Sequence, residues 1–182
     1  MAQSEHIQSH PVALHSYVAN DVLTILRQHG WLTTESTPEL NAWCERAALL
    51  LGQFAIDAEG LAVLLRLVFE YDAAEILKRA DAHAVLARYA ARDVIRHLAL
   101  LLLGPAPLTS DRFKEVVNSL KENLDLRGRD LFHPIRLALA GQAGEGGLDR
   151  VILLLDDAAA LPFAVGVKST RTRILEFCAA LD

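Results

Sequence analysis

Between Phe113 and Leu124 the apolar residues Phe113, Val116, Val117, Leu120 and Leu124 stand three, four, seven and eleven positions from the first. That spacing lines them along one face of an α-helix and scatters them over both faces of a strand. Near-helical spacing returns at Val12, Leu14, Val18, Val22, Ile25 and Leu26, at Trp43, Ala47, Leu50 and Leu51, and from Val85 to Leu102. The 52% hydrophobic fraction is drawn largely from Ala and Leu, which are helix formers. Val, Ile and the aromatics are too sparse for a sheet protein. The expected fold class is all-α, with seven or eight helices in one or two packed bundles.

Polar caps and glycine or proline stops divide the chain. Residues 1–10 are polar and unpatterned, which predicts a flexible tail. A first helix is expected from Pro11 to the stop His29-Gly30, and a second starts at Pro38 behind the cap Thr37 and ends at Gly52. Asp57 and Asp72 are the expected caps of the next two helices. Asp81 is expected to cap a longer one running through Val85, Leu86, Tyr89, Val94, Leu98, Leu101 and Leu102 to Gly104-Pro105. Arg88, Arg92 and Arg96 would then share its outer face at steps of four, either as a solvated stripe beside Asp93 or as a hold on a phosphate backbone. Pro105-Ala106-Pro107 is a stiff joint, taken as the boundary between an N-terminal subdomain (11–104) and a C-terminal one (105–182). Thr109 or Ser110 caps the helix that follows, and a later helix, 148–155, is expected to end at Asp156-Asp157.

The charge balance is uneven. The formal net charge is −5, against a domain-wide nucleic-acid coat, yet residues 1–110 hold 8 basic and 12 acidic side chains while 111–182 hold 10 and 11. The longest apolar run, Leu98 to Leu103, has six residues, against roughly 20 for a membrane span. No signal peptide is read at Met1-Ala2-Gln3-Ser4-Glu5-His6, so the expected compartment is the cytoplasm. Cys44 and Cys178, 134 positions apart, read as small buried residues in a reducing compartment. The histidines at 6, 10, 15, 29, 83, 97 and 133 form no ligand spacing, and neither a Gly-rich phosphate loop nor a serine nucleophile elbow occurs. No catalytic residue, cofactor site or metal site is assigned, and the chain is not expected to be an enzyme.

The most particular stretch is Arg127-Gly128-Arg129-Asp130-Leu131-Phe132-His133-Pro134-Ile135-Arg136-Leu137-Ala138-Leu139-Ala140-Gly141. Pro134 suits the first position of a helix, where its missing N–H is no loss. Such a helix turns Phe132, Ile135 and Leu139 inward and leaves Arg136 outward in the first turn, where backbone N–H groups and the dipole favour an anion. Gly141 can take positive φ and lead into the loop Gln142 to Gly147. Two readings follow for Arg136: a flat cation for a phosphate or a splayed base, or a brace paired with Asp130 or Glu145.

Residues 131–142, with the Gly-rich turn and Leu148, resemble the anticodon-binding C-terminal region of bacterial glutamyl-tRNA synthetase, whose wording is close to L-F-x-P-[IL]-R-x-A-L-T-G. The helix at 109–124, Val68-Phe69-Glu70-Tyr71-Asp72-Ala73 and the Trp43 helix are similar to that region's upstream elements. The family's threonine is Ala140 here, and its loop glycine-proline pair is Gly146-Gly147 or Glu145-Gly146. The resemblance implies a stand-alone, non-catalytic binder of the anticodon arm of tRNA, glutamate tRNA before any related RNA, working with or without a separate synthetase or other protein. It implies base contacts from Arg136 and the loop, with Leu148 at a matching position. Arg127, Arg129, Lys168 and Arg171 would hold phosphates. The alternative is a helical protein-interaction or regulatory module that kept the fold and lost RNA binding. The synthetase's nucleotide-binding signatures, of H-x-G-H and K-M-S-K-S type, do not occur in the sequence.

Overall fold

Local chemistry sets where most of the helices begin. In the computed structural model, which describes residues 16–182, Thr37 accepts the Leu40 N–H (3.2 Å) and starts α2 (Pro38–Gly52) with proline at its first position. Asp57 accepts from Gly60 (2.8 Å) at α3 (Ala58–Phe69), and Asp72 from Glu75 (3.1 Å) at α4 (Ala73–Leu77). Thr109 accepts from Arg112 (3.3 Å) at α7 (Ser110–Leu124). Each side-chain oxygen satisfies an orphan N–H of the first turn. The described residues form ten helices and no strand, so the all-α expectation is met with a count above seven or eight.

Part of the excess is a break that the apolar period does not reveal. The single helix expected from Asp81 to Leu102 is two, α5 (Ala80–Leu86) and α6 (Ala91–Leu102). Ala90 between them takes φ 58°, left-handed backbone that a non-glycine residue adopts only under constraint. Apolar side chains keep their spacing across the break, so the pattern reads straight through it. Asp81 is no cap: α5 starts behind Arg79, which grips the Asp81 carboxylate at 3.0 and 2.8 Å.

Other boundaries also move. α1 is Ala19–Gln28, with the Asp21 carboxylate accepting the Val18 N–H (2.8 Å); the tail 1–10, Val12, Leu14 and His6, His10 and His15 lie outside the described residues. α9 (Leu148–Ala159) runs past Asp156, and α10 is Thr170–Leu181. Asp156 accepts the Leu108 N–H (2.6 Å), the Thr170 N–H (2.8 Å) and the Thr170 hydroxyl (3.0 Å), tying the proline-rich joint to the start of α10. Asp157 pairs with Arg46.

α1, α2, α3 and α9 pack together, α6 and α10 pack with each other and with α8 (Arg129–Ala140), α4 packs on α10, and α8 and α9 touch each other. One contiguous buried cluster runs from Val22 to Phe177, taking side chains from both sides of Pro105-Ala106-Pro107. It holds a knot of rings: Phe163 meets Trp43 and Phe69 edge-on at 5.2 and 4.9 Å, and Trp31 stacks on Phe69 at 4.8 Å. Cys44 lies fully inside, where burial pushes its thiol up to about 12, as befits an inert core residue.

At the seam the fold buries a charge. Arg173 is 0% exposed and forms no ion pair with a carboxylate among the described residues, though Asp156 and Glu176 lie within its field. Its guanidinium donates to Leu67 O (2.9 Å), Val68 O (2.6 Å), Leu139 O (3.0 Å) and Lys168 O (3.1 Å), 4.5 Å from the Tyr71 ring centroid. The first three carbonyls belong to the last turns of α3 and α8, where the helix dipoles are negative and backbone acceptors are unmet. Tyr71 completes the clasp by donating to Ala138 O at 2.5 Å. Burial pushes the guanidinium down to about 10, so it remains cationic at neutral pH.

Candidate nucleic-acid interface

α8 carries the motif, but it begins five residues before Pro134. Gly128, at φ 56° and ψ −136°, makes the entry that only glycine tolerates, and its carbonyl accepts from Leu131 (3.2 Å) and Phe132 (2.9 Å). Proline therefore sits inside the helix, and the Asp130 carbonyl has no N–H four residues on to bond. The chain tolerates this because Asp130 is exposed and water reaches the first turn. At the far end Gly141, at φ 80°, closes the helix against α4; a Cβ there would stand 3.1 Å from Ile76 Cδ1.

Starting α8 earlier changes Arg136. It is the eighth residue of the helix, not a first-turn residue, and its side chain is only 13% exposed. Nε and Nη2 grip the Asp149 carboxylate at 2.8 and 2.9 Å, Nη1 donates to Gly144 O at 3.3 Å, and the guanidinium lies 5.0 Å from the half-buried Phe132 ring. The Asp149 bond raises its pKa, opposed by desolvation. Asp149 is in the first turn of α9, so the pair joins α8 to α9 and pins the loop between them. Glu145, one of the two partners expected for Arg136, instead faces Arg129 at 3.5 Å.

Arg129, His133 and Arg136 fall at i, i+4 and i+7 and share one face of α8. Arg88, in the turn after α5, reaches that face and donates from Nη1 to His133 Nδ1 at 3.0 Å. A guanidinium can only donate, so Nδ1 accepts and the ring proton is on Nε2, a buried atom with no hydrogen-bond partner among the described residues. Desolvation, then Arg88, Arg136 and Arg129, push the His133 pKa below the usual histidine range, partly offset by Glu145. The three arginines thus all act on His133, as does Glu145.

The other expected contacts divide. Arg127, two residues before Arg129, is exposed and has no ion pair or hydrogen bond with any described residue. Leu148 is 4% exposed, its side chain turned into the core. Lys168 lies toward the C-terminal end of α8, bonded to Glu176 (2.7 Å) and 5.9 Å from the Tyr71 ring. Arg171 is exposed beside Gly104 to Pro107. Arg129 and Arg136 thus gather with Arg88 about α8, Arg127 precedes the helix entry at Gly128, and Lys168 and Arg171 stand elsewhere. Arg88, Arg92 and Arg96 form no single stripe, because Arg88 precedes the break and Arg96 lies 3.9 Å from Asp182.

Sequence spacing missed Arg173 and Asp149. For Arg173 a signal existed: Thr170, Arg173, Ile174, Phe177 and Leu181 hold the inward spacing of α10, and four of these five are buried. Asp149 had none beyond its place in a first turn. Among the described residues no three His, Cys, Asp or Glu side chains group to hold a metal ion, and no helix is long and apolar enough to cross a membrane.

Comparison with known proteins agrees with this placement of the motif. A model of the anticodon binding domain family matches residues 21–161. The glutamate–tRNA ligases 1 of Brucella ovis, Brucella canis and Brucella suis are each 34% identical over 82 residues, a stretch that covers 45% of this chain and 16% of theirs. The match thus spans about a sixth of the relatives' length. No solved structure matches the chain.

Proposed function

This chain belongs to the anticodon-binding domain family, and we propose that it is a non-catalytic, cytoplasmic domain that binds the anticodon arm of tRNA, glutamate tRNA first. The observation that carries the reading is the gathering of Arg129 and Arg136, with Arg127 alongside, on the helix that bears the motif. Cations on one rigid helix suit a phosphate backbone, and the adjoining glycine loop lets a base approach the main chain. Arg127 and Arg129 supply phosphate contacts; Arg136, braced by Asp149, presents its remaining edge over Phe132 to a base. Lys168 and Arg171 are outlying phosphate contacts, and Leu148 supports the loop from beneath. A separate synthetase acting with this domain would supply amino-acid activation.

A second reading rests on a different observation. Arg136, Arg129 and Lys168 all face carboxylates, at 2.8, 3.5 and 2.7 Å, and acid-paired cations suit a protein-interaction module that kept the fold. Filter binding of purified glutamate tRNA and of total tRNA, at two salt concentrations, separates the two. The RNA reading expects binding that weakens with salt and falls about tenfold in the double variant Arg127→Gln, Arg129→Gln. Absent binding, or binding indifferent to salt and to both substitutions, refutes it and leaves the interaction module.

A further inference from the structure

Beside the α8 face lies an open groove of about 660 Å³, walled by Arg79, Val85, Arg88, His133, Gln142 and Gly144 among others. Its charges are not equivalent. Arg79 is spent on Asp81 (3.0 and 2.8 Å) and on Gly141 O (2.7 Å), and Asp81 is the groove's one carboxylate. Arg88 is exposed and meets no carboxylate among the described residues; it uses one of its five N–H donors, on His133. The groove therefore keeps one uncompensated guanidinium, fixed at its Nη1 and open at the rest.

Immediately after Arg88 comes Tyr89, 87% exposed on the turn that ends in the left-handed Ala90. A bulky ring held in water by a constrained turn next to an uncompensated arginine has the composition of a single-strand contact, a stacking face beside a phosphate hold. Arg92, beyond the break, lines a separate pocket with His83 and Leu181 and adds nothing to this edge.

Resting on the RNA reading above, we infer that the α5–α6 turn is a second RNA contact, in which Arg88 holds a phosphate of a single-stranded segment at the mouth of the groove and Tyr89 stacks on the adjoining base. Charge complementarity selects this occupant: Arg129 and Arg136 are paired with Glu145 and Asp149, whereas Arg88, bonded to His133 on the same face of α8, meets no carboxylate among the described residues and leaves the groove mouth a cation for a phosphate. The contact is sequence-tolerant, since stacking reads a π-face and not a base edge.

The test is a fluorescence-anisotropy titration of the full chain with a labelled anticodon stem–loop of glutamate tRNA, at several salt concentrations. Wild type is compared with Arg88→Gln, Tyr89→Ala and the double variant Arg127→Gln, Arg129→Gln, and thermal melts establish that each is folded. Arg88→Gln is expected to weaken binding about fivefold and to flatten the salt slope by about 0.7, one phosphate's share for a single strand. Tyr89→Ala is expected to weaken it about tenfold with the slope unchanged. Unaltered affinity in either single variant overturns the second contact; if the Arg127, Arg129 variant still loses binding, the α8 reading survives that failure. No binding by wild type overturns both.

Discussion

Replacing Asp149 with Asn makes stability and RNA affinity move in opposite directions. The Asp149 carboxylate takes two hydrogen bonds from Arg136 at 2.8 and 2.9 Å, with side-chain exposures of 26% and 13%. Bonds to charged groups contribute about 1.5–3 kcal/mol each. An amide keeps one acceptor oxygen for the guanidinium, and the Gly144 carbonyl remains, so the net loss is about 1–2 kcal/mol. For a chain of this size that lowers Tm by roughly 3–6 °C. The same change removes a negative charge about 7 Å from any phosphate that Arg136 faces. At an effective dielectric of about 40–80, that repulsion is roughly 0.6–1.2 kcal/mol, or about three- to eightfold in affinity. Differential scanning fluorimetry reads the first effect and anisotropy with an anticodon stem–loop the second. A folded Asp149→Asn protein whose RNA affinity is unchanged or weaker would refute the assignment of Arg136 to an RNA face, leaving it a brace between α8 and α9.

Three further outcomes are expected. Arg173→Met keeps the volume but strands the Leu139 and Val68 carbonyls in the core; at about 1–3 kcal/mol per buried unmet acceptor, less the relief of an unburied charge, it lowers stability by about 3 kcal/mol, or roughly 8 °C in a thermal melt. Gly141→Ala forces a side chain into left-handed backbone at φ 80° and against Ile76, lowering stability by about 1–2 kcal/mol in urea titration, with partial recovery when Ile76→Val opens the space. His133 has a folded pKa below its unfolded one, so between the two the unfolded chain binds more protons and stability rises with pH. Acidification from about pH 7 to pH 5.5 should therefore destabilise the wild type more than His133→Gln, read as the difference between their denaturation midpoints at each pH.

What could be read from the sequence was local. Thr37, Asp57, Asp72 and Thr109 are legible caps because each bonds an N–H three residues on, within its own first turn. The break at Ala90 was hidden because apolar spacing is indifferent to one left-handed residue, and the early start of α8 because a proline inside a helix and one at its first position look alike in a string. Arg136 stood out by its surroundings, yet Asp149 comes from the next helix and reaches it only when α8 and α9 pack. Arg88 looked like one of three equal arginines until the turn at Ala90 set it against His133. Arg173 drew no reading of its own, since burying a guanidinium normally needs a carboxylate and here the ends of two other helices supply the acceptors.

The unit that shares ancestry and the unit that folds are not the same length here. The family match stops at residue 161, yet Phe163 wedges into the Trp43 and Phe69 rings, and Arg173, Ile174 and Phe177 are each 0% exposed. A segment cut at the edge of the match would carry the whole α8 motif and lack its keystone: two helix ends would have no cation and the aromatic knot would face water. Transplanting the α8 motif into another protein therefore requires α10 as well, although the motif itself lies wholly outside α10. The last helix is the part of this protein most easily trimmed by comparison and least dispensable by physics.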